Sequence, residues 1–169
     1  MNPDVFFAWV EQTAFSVYVR ESQSVAFGFP GILVLHTIGM GLLAGACAIV
    51  DLRILGIAPG VPLSAMEKFS PVMKIGFYVN AVSGVALLIG YPTKALTNPL
   101  FYIKLGLIAS AVIEMQMVFK QVVRNRALEY GGIPSKGRTL AWVSLLLWAG
   151  AITSGRFLAY TYSRLMVDF

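Results

Sequence analysis

Charge is scarce in this chain. Of its 169 residues only 12% are Asp, Glu, Lys or Arg, about half the share in a soluble domain. So little charge cannot cover a water-facing surface, which excludes an ordinary soluble domain. Disorder is excluded by the opposite shortage, because disordered chains are poor in hydrophobic residues and here they make up 57%, with a mean hydropathy of +0.74. Cysteine occurs once, as Cys47, so no disulfide framework can form within the chain. Histidine also occurs once, as His36. No phosphate-binding loop, zinc-protease motif or catalytic triad is present. The Gly39-x-Gly41 pair sits inside an apolar run with no strand before it, so it carries no nucleotide signal. Hydrolytic chemistry has no candidate residues. The first residues, Met-Asn-Pro-Asp, offer no basic stretch ahead of an apolar core, so the first apolar run is expected to drive its own insertion.

What the chain does have is four long apolar runs. A helix crossing a bilayer needs about 20 mostly apolar residues, and four stretches qualify: 25–50, 71–90, 99–119 and 139–162. Their apolar residues are continuous rather than alternating, which excludes a lipid-spanning barrel. Pro30, Pro71 and Pro99 stand near the expected helix starts, where a missing N–H costs least. The fold class expected is all-α: an integral membrane four-helix bundle over 21–169. It is preceded over 1–20 by an interfacial helix in which Phe6, Phe7, Trp9 and Phe15 mix with Asp4, Glu11 and Gln12.

The net charge of +5 takes its meaning from the bilayer, not from nucleic acid. Seven basic residues fall in the loops after the first and third runs: Arg53, Lys68, Lys120, Arg124, Arg126, Lys136 and Arg138. Three lie on the other side (Arg20, Lys94, Arg164) and three within the runs (Lys74, Lys104, Arg156). The positive-inside rule then places both loops in the cytoplasm and both termini in the periplasm of a bacterial inner membrane. Tyr91, Tyr102, Tyr160 and Tyr162 cluster at the expected outer interface and Trp142 at the inner one. The basic loop 120–138 contains Gly131, Gly132, Pro134 and Gly137 and reads as flexible. Asp51-Leu52-Arg53 reads as a helix-end ion pair or a headgroup contact, and Cys47 as a small buried hydrophobe.

Polar residues inside the apolar runs are the functional candidates, because each is costly there without a partner or a task. His36 lies roughly 9–16 Å below the outer surface, Lys104 about 8 Å and Arg156 about 9 Å, while Glu114 is about 22 Å deep. One imidazole and two cations therefore share a half of the bilayer in which no acidic side chain stands. An anionic cofactor would supply the missing charge, and haem b fits, with iron at His36 and propionates at Lys104 and Arg156. Lipid phosphate is the simpler partner for the same cations. Gly39, on nearly the same face as His36, and the small pair Gly41 and Gly45 allow close approach of a helix or a flat macrocycle. No second histidine exists, Met40 is on the same helix, and Met73, Met115 and Met117 lie toward the other side. A haem is thus expected to be five-coordinate or shared by two His36 residues across a two-fold axis of a homo-oligomer. Asn80 and Ser83 either hydrogen-bond across helices or line a quinone pocket.

Arg20-Glu21-Ser22, His36 with Gly39, Asp51-Leu52-Arg53-x-Leu55-Gly56, Asn98-Pro99 with Lys104-Leu105, and Gly155-Arg156 together resemble the pattern of an uncharacterised bacterial family of small four-span membrane proteins. The resemblance covers roughly residues 20–160 and implies four helices in a membrane. More distantly the layout is similar to four-helix membrane cytochromes b, which carry histidines on more than one helix, and to the membrane subunit of copper-resistance systems. The functional expectation is a haem b-binding, cytochrome b-like electron-transfer protein working with quinone or a periplasmic partner. Two alternatives stand beside it: a non-catalytic assembly subunit of a larger complex, and a copper or proton transporter using His36 and Glu114.

Overall fold

A computed structural model of the protein describes residues 3–22, 24, 27–129 and 132–165, and within these no strand occurs. Four helices, with the turns that extend two of them, are long and apolar enough to cross a membrane. The first is α3 (Phe29–Ile54), preceded by α1 (Pro3–Glu11) and α2 (Ala14–Glu21). A 3-10 helix, Leu63–Phe69, leads into α4 (Ser70–Gly90), followed by the short α5 (Pro92–Leu96) and by α6 (Pro99–Val118). A π turn, Phe119–Val123, and a 3-10 turn, Arg126–Leu128, connect to α7 (Ser135–Leu165).

Prolines mark the helix starts. Pro30, Pro71, Pro92 and Pro99 each occupy one of the first two positions of a helix, where the missing N–H has no intrahelical acceptor to lose. Asn98 caps α6 by accepting the Leu100 N–H at 3.0 Å, and its amide donates to Thr161 Oγ1 at 2.9 Å, tying the start of α6 to α7.

Several expected boundaries move. The helix of the first run does not stop before Asp51 but continues to Ile54. Its expected start, Val25, lies outside the described residues, as do Gly131 and the side chains of Tyr162 and Arg164. The loop expected over 120–138 is shorter: α7 begins at Ser135, and Gly137 is a buried helical residue against Ile133 and Val122. The amino-terminal segment is not one helix. It breaks at Gln12-Thr13, where the Thr13 hydroxyl donates to Val10 O at 2.7 Å and accepts the Ser16 N–H at 3.4 Å. The break lets α2 fold onto the end of α4. Val19 is wholly buried, a Cβ on Gly90 would come within 2.9 Å of it, and Ser16 Oγ donates to Gly90 O at 3.3 Å. Glu11 accepts the Thr93 N–H at 3.3 Å and pairs with Arg20 at 4.0 Å. Phe6, Trp9, Phe15 and Tyr18 stay exposed.

Two hairpins make up the bundle. α3 packs mainly on α4 and α6 mainly on α7, with α3 against α7 joining the pairs and little contact between α4 and α6. The pairs meet at the end remote from α1 and α2. There Val50, Ile54, Leu63, Met66, Met73, Met115, Val118, Val122 and Trp148 form the core. No residue of α6 before Ala111 is buried, and none of α3 before Gly39.

The α3–α4 crossing is very close. A Cβ on Gly39 would fall 2.6 Å from Asn80 N, and one on Gly76 would fall 2.7 Å from Leu43 N. Backbone meets backbone here, the small-residue contact by which apolar helices associate where lipid removes the hydrophobic drive. Gly41 and Gly45, by contrast, have nothing within 4 Å.

Candidate functional site

His36 lies one turn from the Gly39 crossing and is clamped onto α4. Its Nδ1 is 3.0 Å from Asn80 O and 3.1 Å from Ser83 Oγ. A carbonyl oxygen only accepts, and the Ser83 hydroxyl donates to Val79 O at 2.6 Å. The proton therefore sits on Nδ1, which leaves the lone pair on Nε2. The Asn80 side-chain amide donates to His36 O at 2.9 Å and stands 3.4 Å from Nε2, a long contact for a hydrogen bond. Gly84 makes room for the ring, since a Cβ there would come within 3.1 Å of His36 Cε1. Asn80 and Ser83 thus hydrogen-bond across helices, the first of the two readings open for them.

Lys104 and Arg156 are the two cations expected beside the imidazole. The Lys104 ammonium acts electrostatically on His36. Its stem lies over the bare backbone of Gly155, where a Cβ would be 3.3 Å from both Cε and Nζ. No ion pair or hydrogen bond engages the ammonium among the described residues. Arg156 is exposed, and its guanidinium stands 5.9 Å from the Tyr160 ring centroid. Gly39 faces the α4 backbone, so its missing side chain serves the helix crossing. Gly41 and Gly45 lie about 140° and about 180° around the helix from His36 at 3.6 residues per turn. Met73 and Met115 are buried in the core at the opposite end, which leaves no thioether from α4 or α6 level with the imidazole.

At that opposite end the fold assembles a second polar group that sequence reasoning separated. Asp51 of α3 and Glu114 of α6 are 0% and 5% exposed, and Ser144 and Trp148 of α7 are 0% and 3%. Glu114 acts electrostatically on Asp51, and the Ser144 hydroxyl faces both carboxyls. None of the four carboxylate oxygens, the Ser144 hydroxyl or the Trp148 indole N–H has a well-formed hydrogen bond. Cys47 is wholly buried one turn before Asp51 on the same helix. The ion pair expected within Asp51-Leu52-Arg53 does not form. Asp51 turns inward, while Arg53 turns to the following loop and donates to the Val61 and Pro59 carbonyls, the latter at 3.0 Å.

The signal that could have linked the two carboxyls was depth. Glu114 is four residues from the end of α6 and Asp51 three from the end of α3, on helices that end on the same side. Which face each residue takes is hidden in runs that are apolar all round. Among the described residues no group of three or more His, Cys, Asp or Glu stands where it could hold a metal ion. Family models, curated proteins and solved structures were all compared with the chain, and none matches.

Proposed function

We propose that this is a haem b-binding membrane protein of the cytochrome b-like, electron-transfer kind, with His36 as the axial ligand. The observation that carries the reading is the direction of the imidazole. An Nδ1–H held by a backbone carbonyl is the arrangement by which proteins orient a metal-binding histidine and raise the basicity of Nε2. Of the described residues, His36 is the one that would hold the iron, through its free Nε2. Bound there, haem supplies one-electron chemistry.

The chain's own residues do the positioning. Asn80 O and Ser83 Oγ fix the ring, and Gly84 gives it space. Metal binding displaces only the long 3.4 Å contact from the Asn80 amide. Lys104, a cation without an anion beside the imidazole, would meet a propionate, and exposed Arg156 a second one nearer the surface. Since no second ligand is level with His36, the haem belongs at an interface in a homo-oligomer, at least a dimer. That interface uses the His36 face and not the open Gly41–Gly45 face. The seven basic residues around the two long connections orient the chain in a bacterial inner membrane with both termini periplasmic, where quinone or a periplasmic protein exchanges the electron.

The test is an absorption spectrum of protein extracted in mild detergent. A Soret band that shifts on reduction and is lost in His36→Ala is the expected result. A colourless preparation, from cells in which a control haem protein keeps its cofactor, overturns the proposal. A second reading, a non-catalytic assembly subunit, is favoured by one observation: Asn80 already faces both nitrogens of His36, which lets the imidazole serve as a helix clamp alone. Stoichiometric co-purification of colourless protein with other chains would establish it.

A further inference from the structure

We infer that Asp51 and Glu114 form a buried carboxyl pair that takes up and releases a proton, a site separate from His36. Asp51 is fifteen residues from His36 on the same helix, about 22 Å at 1.5 Å per residue, so the two centres occupy opposite halves of the bundle.

The inference starts from what surrounds the pair. Four carboxylate oxygens, one hydroxyl and one indole N–H are shut away from solvent with no hydrogen bond of normal geometry among them. Each buried polar atom left in that state is destabilising, because it has given up water without gaining a partner. A bare carboxylate costs more, and two facing each other repel. Among the described residues no cation offsets them. The described ion pair is Arg20–Glu11 at the other end of the molecule, Arg53 is committed to the 59–61 loop, and Lys74 and Lys120 are exposed. The elements packed around the pair supply nothing else that is charged. From α3 comes the Cys47 thiol, from α7 Ser144 and Trp148, and from α4 the apolar Met73. The 3-10 helix before α4 adds Leu63 and Met66 while its Glu67 and Lys68 face outward.

A proton is the ligand that fits this shell. Trp148 Nε1–H, buried without an acceptor, only donates, which suits an oxygen or sulfur acceptor and not a metal ion. The described residues also lack a group able to hold a metal. One added proton turns an oxygen into a donor and allows an O–H···O bond between the two side chains. The Ser144 hydroxyl and the Trp148 indole can then each turn to an oxygen that remains. The step is balanced: a hydronium ion gives its proton to a carboxylate, leaving water and a neutral carboxyl, and no electron moves. Asp51 lies one turn from the end of α3, next to the exposed connection 56–62, so exchange runs to that side. Ionisable residues kept inside apolar helices commonly mark proton relays, and both carboxyls here are buried without a hydrogen-bond partner.

The test is infrared difference spectroscopy of the full-length protein in lipid vesicles through a pH titration. The wild type is expected to show the C=O stretch of a protonated carboxyl, moving to lower frequency in deuterium oxide. Asp51→Asn and Glu114→Gln should each shift the band and the double variant should abolish it. Ser144→Ala, which removes only a hydroxyl, should change its frequency with the helix content intact. The proposal is overturned by a wild type without such a band, by a double variant that keeps it, or by elemental analysis showing a metal ion in one-to-one ratio that the double variant loses. His36→Ala should leave the band in place, so failure of the haem reading and failure of this one are told apart.

Discussion

Placing a methyl group on Gly39 drives it into the α4 backbone. The new Cβ would sit 2.6 Å from Asn80 N, and to restore an ordinary 3.4 Å contact the helices must separate by about 0.8 Å. That separation also stretches the His36 Nδ1 to Asn80 O and Asn80 Nδ2 to His36 O bonds, one turn away at 3.0 and 2.9 Å, beyond hydrogen-bonding range. Overpacking costs about 1–3 kcal/mol, and each lost interhelical bond adds about 0.6 kcal/mol. Alanine returns up to about 1 kcal/mol through its better helix propensity. The net loss for Gly39→Ala is therefore about 1–3 kcal/mol, roughly a 5- to 150-fold fall in the folding equilibrium. Gly41→Ala and Gly45→Ala are the matched controls: with nothing within 4 Å they keep the propensity gain and should be neutral or stabilised by up to about 1 kcal/mol. Unfolding in mixed micelles of rising SDS fraction, followed by tryptophan fluorescence, to which the buried Trp148 contributes, measures all three. Equal stability of Gly39→Ala and Gly41→Ala would refute the close α3–α4 crossing, and with it the geometry that holds His36. Gly76→Ala acts on the same contact, so the double variant Gly39→Ala/Gly76→Ala should lose less than the sum of the two single losses.

Two further outcomes follow from particular contacts. Lys104→Met removes a cation with no described partner and should leave the unfolding midpoint of haem-free protein unchanged or raise it. It should also weaken haem retention on dilution into micelles, and equal retention by wild type and variant would remove Lys104 from the proposed site. Asn98→Ala deletes both the cap of α6 and the link to Thr161 and should cost about 1–2 kcal/mol, read as a lower midpoint in the same SDS titration. A midpoint equal to the wild type would show that the α6–α7 pairing does not depend on that cap.

Much of the architecture is legible in the chain itself. The length of the four apolar runs and the scarcity of charge are summed properties, independent of which residue touches which, and they point to four helices long and apolar enough to cross a membrane. Prolines 30, 71 and 99 mark helix starts because the rule they obey is local. What was not legible is which way each helix faces. The runs of α3 and α6 are apolar all round and have no solvent-facing stripe from which to infer an inner face. An acidic residue at the end of such a run looks like a terminator, so Asp51 reads as surface from hydropathy alone. The helix instead continues one turn further and carries Asp51 inside. A separation of 63 positions hides that Asp51 and Glu114 are buried at the same end, as the 44 positions from His36 to Asn80 hide the clamp that sets the imidazole tautomer. Local covalent chemistry determined that this protein has long apolar helices and where they begin. Only the packing of α3 on α4 and α7, where glycine backbones touch and unpaired polar groups are shut in together, decided which of its few polar residues share a site.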